Sequence, residues 1–179
     1  MENNSSPAKS GIVFGVLFGV LMVLEFVVMY IIGMKSLVNT SVGLLTNIAN
    51  YMILPILFIY LGCANYKKIN NGFISFGDSL KTGVSITFIA AVVYAFFNVI
   101  FNYIFPEFID EMIAISKAAM IEKTPNLTSE QIETGIVMMK KFMNPLIAFP
   151  VTVAMYSFFG LIYSLIIGAI VKKENPQSL

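Results

Sequence analysis

The sequence contains no histidine, no tryptophan and no arginine, and its single cysteine is Cys63. Without histidine or a second cysteine, the usual zinc, haem and iron–sulfur ligand sets cannot be assembled, and the commonest general base is missing. No metal, no cofactor and no catalytic residue are therefore expected. A disulfide within the chain is impossible, and Cys63, at the end of an apolar segment, reads as a small hydrophobe. Charge is also scarce: eleven basic residues, all lysine, stand against ten acidic ones in 179 residues. A surface of that composition does not gather phosphates as a nucleic-acid binder must, so nucleic acid is set aside as a partner.

What the chain has instead is apolar length. Hydrophobic residues make up 58% of it, well above the share of soluble domains. Four runs, 11–34, 42–64, 83–105 and 145–171, each exceed the roughly 20 residues that cross about 30 Å of hydrocarbon as a helix. In lipid the backbone must satisfy itself, so such runs read as helices. The expected fold is all-α: a polytopic integral membrane protein of four transmembrane helices. It comprises a polar N-terminal tail over 1–10, one membrane domain over 11–173 and a C-terminal tail over 174–179. The first run carries Glu25 but still inserts. Its fifteen Ile, Val, Leu and Phe residues contribute about −0.3 to −0.6 kcal/mol each, against roughly +2.5 to +3.5 for one central charge. It is too long for a signal-peptide core and lacks an A-x-A-like site in the flank "YIIGMKSLVN", so it reads as retained.

The connectors set the topology. In "NYKKINNGFISFGDSLKTG", Tyr66, Lys67 and Lys68 are placed to anchor the second helix at headgroup level, as Lys172 and Lys173 are for the last. Asn71 and Gly72 form a turn signal, Ser75 can cap the third helix through Asp78, and Phe73, Ile74 and Phe76 read as interfacial. Four spans put both termini on one side. Lys9, Lys67, Lys68, Lys81, Lys172 and Lys173 share that side, whereas Lys35, Lys117, Lys123, Lys140 and Lys141 lie on the other. Because the first group hugs the membrane, both termini are expected in the cytoplasm.

The third connector, 106–144, reads as an amphipathic helical hairpin. "PEFIDEMIAISKAAMIEK" carries Phe108, Met112, Ile115 and Ala119 on one stripe; "TPNLT" supplies the turn. Thr128 and Gln131 make a capping box, and Ile132, Ile136, Met139 and Met143 form a second stripe. The hairpin either lies on the bundle or bilayer surface or docks a partner.

Two patterns lie inside the spans. Gly11, Gly15 and Gly19 bare one face of the first helix, and Gly160, Ser164 and Gly168 do the same on the fourth. Gly83, Thr87, Ala91 and Ala95 form the third helix's counterpart. Such faces pack helices closely, within the chain or against a second copy of it. The other pattern is polar. Glu25 is the only ionisable residue well inside the spans, and no cation at its depth can pair with it. Asn50 of the second helix, Asn98 of the third and Thr152 of the fourth reach similar depths, and Asn47, Tyr51, Tyr94, Asn102 and Tyr156 lie in the same outer half of the bundle. Removed from water, a carboxyl keeps its proton unless something replaces its solvation. Glu25 is thus a neutral structural carboxyl bonded to one of these amides, the acid of a small polar cavity that takes a cation or relays a proton, or a carboxyl near a lipid-facing water defect with no special role.

The stretch "YKKINNGFISFGDSLKTG", the apolar helix after it, "FPEF", the acidic amphipathic segment and the final "GAIVKK" together resemble a known family. It is the four-helix integral membrane proteins of Bacteroidota grouped as domain of unknown function 4199. The resemblance spans roughly 11–173. It implies a bacterial cytoplasmic membrane protein with four spans and brings no activity, ligand or catalytic residue. Intramembrane hydrolysis would want a nucleophile–base pair, paired aspartates or a metal motif, so an enzyme is not expected. The favoured expectation is a small accessory or structural inner-membrane protein whose outer hairpin contacts a partner. The alternative is an oligomeric proton- or cation-linked transporter or channel using Glu25.

Overall fold

The computed structural model describes residues 6–36, 38 and 40–175; the outer parts of both tails named above, 1–5 and 176–179, lie outside the described residues. Six helices are built on four long spans: α1 (Pro7–Ile32), α2 (Ser41–Ile69), α3 (Phe76–Ile104), the hairpin helices α4 (Glu107–Lys123) and α5 (Ser129–Met143), and α6 (Pro145–Val171). A 3-10 turn, Met34–Ser36, lies between α1 and α2. The helices α1, α2, α3 and α6 are each long and apolar enough to cross a membrane.

Three of the four spans begin before the apolar run does, because capping side chains start the helix in polar surroundings. Ser6 Oγ accepts from Lys9 N, with Pro7 at the first helical position. Ser75 Oγ accepts from Asp78 N at 3.0 Å, and Thr40 caps α2 through Gly43 N at 3.1 Å. Such caps satisfy the amides that a helix start leaves without partners. The turn between α2 and α3 uses Asn71 (φ 54°) and Gly72 (φ 84°), a left-handed pair that β-branched side chains would strain.

Helix α3 is the central staff, packed along α1 on one side and α6 on another, while α2 touches all three. Small residues permit this. A Cβ at Gly11 or Gly15 would lie 2.8 Å from the Thr82 or Ile86 carbonyl oxygen, and one at Gly19 would lie 2.7 Å from Val93 Cβ. These contacts climb both chains together, so α1 and α3 run parallel. The α3–α6 contact is antiparallel and reciprocal: Gly83 receives the Ser164 side chain and Gly160 receives Thr87. Ser164 and Thr87 return their hydroxyl protons to backbone, at 2.5 Å to the Gly160 carbonyl and 3.3 Å to that of Gly83. The small-residue faces of α1 and α6 are thus covered inside one chain by α3. At the centre Phe18 is fully buried, stacked on Phe58 of α2 and edge-on to Tyr156 of α6.

At the end of the bundle shared by the termini, two residues expected at the interface pack inward. Tyr66 and Ile74, read as interfacial, are buried together with Ile59, Cys63 and Ile167. The connector folds inward because Ile74 exchanges two backbone hydrogen bonds with Lys173, at 3.0 and 2.9 Å, which turns its side chain into the bundle. Lys67 Nζ donates to the Val171 carbonyl at 2.8 Å, closing the C-terminus of α6. The Lys173 ammonium sits 5.4 Å above the Phe73 ring, and Lys68 and Lys172 are exposed.

At the opposite end the hairpin is seated by aromatic packing. Phe108 of α4 is buried against Phe26 of α1 and Phe101 of α3, with ring centroids 5.6 and 5.1 Å away. The Thr128–Gln131 capping box starts α5, with both reciprocal hydrogen bonds made at 2.9 and 3.2 Å. Both stripes named from the sequence are at least half-buried, and Ile113, outside them, is buried too.

Candidate functional site

The site begins with a defect in α2. Pro55 has no N–H for the carbonyl four residues back, that of Tyr51. The helix accommodates this with a π-helical turn over Ala49–Ile53, closed by Leu54 N donating to the Ala49 carbonyl. The freed Tyr51 carbonyl is taken by the Tyr163 hydroxyl of α6 at 2.7 Å. Adding a residue to one turn changes which face the preceding segment presents, and the side chain turned toward α1 is Asn50. Its Nδ2 donates to Glu25 Oε2 at 2.7 Å.

Glu25 and Asn50 share the wall of a cavity of about 350 Å³ in the hairpin half of the bundle. Asn47 and Thr46 of α2, Tyr94 of α3 and Tyr156 of α6 also line it, and Phe108 and Met112 of α4 close it from the hairpin side. Tyr94 and Tyr156 are near enough to Glu25 to interact with it electrostatically, and Tyr51 is that near to both of them. The rings of Tyr51 and Tyr156 stack with centroids 5.4 Å apart.

The polar residues singled out from the sequence do not form one cluster. Glu25, Asn47 and Asn50 line this cavity, whereas Asn98 and Asn102 line a second one of about 190 Å³ with Thr152, between α3 and the start of α6. Tyr94, Phe108 and Met143 border both. Asn98 and Asn102 each turn their amide onto their own helix, donating at 2.9 and 2.7 Å to the carbonyls of Tyr94 and Asn98. The amide oxygens of Asn50 and Asn102 are buried and have no hydrogen-bond donor among the described residues.

Sequence reasoning missed the sulfur and ring atoms around Glu25: Met22, Phe26, Met29, Met34, Met112 and Met143 all face the larger cavity. A signal existed for two of them, since Met22 and Met29 stand three before and four after Glu25 and so share its helix face. Among the described residues no group of three His, Cys, Asp or Glu side chains could hold a metal ion. Cys63 is buried far along α2, its thiol 3.8 Å from the Ser79 carbonyl.

Compared with known proteins, residues 13–173 match the family model described as "Protein of unknown function (DUF4199)". No curated protein and no solved structure matches the chain.

Proposed function

Since the chain belongs to the DUF4199 family, which is described as of unknown function and supplies no activity to inherit, we propose from the geometry that it is a multi-pass membrane protein that takes a small ligand or a proton into the cavity at Glu25. The observation that carries this reading is the placement of Glu25. An acid inside a span is costly and finds partners or a cavity by necessity; here it has an amide partner on one side and about 350 Å³ of space on the other. A purely structural carboxyl would be better served by close packing.

The reading is one of binding or transport and not of an enzyme. With the termini in the cytoplasm of a bacterial inner membrane, as the membrane-hugging Lys9, Lys67, Lys68, Lys172 and Lys173 favour, the cavity belongs to the outer half of the bilayer. A transport path would require more than four helices, hence a second copy of the chain or a membrane partner. The test is access. In a Cys63→Ser background, Asn47→Cys should react with a membrane-impermeant thiol reagent added from outside intact cells, whereas protection of that thiol from both sides would sink the reading.

A second reading, an accessory protein whose hairpin holds a partner, draws on Val137, Met138 and Phe142, which remain more than half exposed on α5. Co-purification of a partner that is lost when Val137 and Phe142 are replaced by serine would favour it. Loss of the bundle's own stability in that variant would instead make the hairpin part of the cavity's wall.

A further inference from the structure

The larger cavity is chemically one-sided. Glu25 Oε2, paired with Asn50 Nδ2, acts as an acceptor, so the Asn50 amide is fixed with its nitrogen toward α1 and its oxygen away. That oxygen is buried and has no donor among the described residues. No lysine lines the cavity. The one acid well inside the spans therefore faces a space whose walls supply no charged donor. The remaining wall is aromatic and thioether. Phe26 meets Tyr94 edge to face at 6.4 Å, and Tyr51 stacks on Tyr156; ring faces are negative and attract cations. The volume falls within the range of small-molecule sites, about 300–1,000 Å³.

We propose that this cavity binds a primary ammonium group carrying a small apolar body, with the Glu25 carboxylate accepting its N–H protons and the Tyr51, Tyr94 and Tyr156 rings lining the space for the rest. The inference rests on the cavity reading above and deepens it by naming the ligand's chemistry. An ammonium is the complement this site lacks: positive, rich in donors, and joined to a body that methionine and ring surfaces can bury. A free amine and the ethanolamine headgroup of a lipid both present it. The other titratable groups facing Glu25 are those three phenols, while α4 brings only Phe108 and Met112 to this wall.

The test uses the full chain in phosphatidylcholine nanodiscs and radiolabelled 2-phenylethylamine, an ammonium at neutral pH. One saturable site per chain is expected. Glu25→Gln, which keeps an acceptor for Asn50 and should leave the bundle monodisperse, is expected to weaken binding at least about tenfold. Tyr156→Leu should weaken it about threefold, and 2-phenylethanol, of the same shape without the charge, should not compete. Nanodiscs containing phosphatidylethanolamine separate the two sources: competition there assigns the site to a headgroup, and its absence assigns it to a free amine. The proposal is overturned if binding is unsaturable, is indifferent to Glu25→Gln, or is displaced equally by 2-phenylethanol. If no amine binds while Asn47→Cys remains accessible, this inference fails and the cavity reading survives. If that access also fails, both go.

Discussion

Replacing Gly15 by alanine adds one methyl group at the closest approach of α1 and α3, and its effect can be worked from the contact. The new Cβ would meet the Ile86 carbonyl oxygen and Ile89 Cβ at 2.8 Å each, 0.6 Å inside the 3.4 Å where ordinary contact begins. Neither atom is the free end of a flexible side chain, so the helices must part. A gap of about 0.5–1 Å forfeits a quarter to a half of each dispersion well along the seam, and overpacking of this kind costs about 1–3 kcal/mol. Alanine's helix preference over glycine returns about 1 kcal/mol, so the expected net loss is about 0–2 kcal/mol, or about 1–3 kcal/mol relative to an unhindered Gly→Ala change. Gly77 is the control. It lies in the first turn of α3, and a Cβ there would meet only Ser75 Oγ at 3.9 Å, so Gly77→Ala should be neutral or stabilising. Unfolding in mixed micelles titrated with a denaturing detergent measures both. A Gly15→Ala protein as stable as Gly77→Ala would refute the claim that backbone proximity holds α1 on α3.

Removing the Tyr163 hydroxyl by Tyr163→Phe leaves the Tyr51 carbonyl at the π-helical turn without its donor. The expected loss is about 0.6 kcal/mol and at most about 1.7 kcal/mol, the average and the upper limit for hydrogen bonds between membrane helices, read in the same unfolding titration. Thr128→Ala removes one half of the capping box and should cost α5 about 1 kcal/mol; faster amide exchange confined to α5 would show it, whereas slowed or unchanged exchange would contradict it. Asn50→Leu strips Glu25 of its partner and should destabilise by about 1–3 kcal/mol. Glu25→Gln, which can still accept from Asn50, should be close to neutral, and equal effects from the two would mean that the bond contributes little.

The four spans were legible because lipid sets a length and a composition that few other segments meet. The small-residue faces were legible because close approach needs residues without bulk at every fourth position. The capping box was legible because its two partners stand three residues apart. What escaped the sequence depends on azimuth. A helix apolar all round gives no periodicity from which to read its orientation, so nothing showed that Asn98 and Asn102 would face a different cavity from Asn47 and Asn50. Pro55 sat inside an apolar run with no mark of its effect. The carbonyl it frees is answered by Tyr163, 112 residues along the chain. Tyr66, Ile74 and Lys67 were read from their place beside the membrane, but the pairing of Ile74 with Lys173 draws the connector inward, and Lys67 reaches the end of α6. Depth could be counted along the chain; the identity of the neighbour could not.

The central claim is that Glu25 stands in a cavity connected to water and is not locked in a packed interior. The most direct measurement places a thiol at that position: Glu25→Cys in a Cys63→Ser background, reacted in reconstituted protein with a membrane-impermeant thiol reagent. Modification of that thiol is the expected result. A thiol protected from both sides of the membrane in a protein that stays folded would contradict the claim.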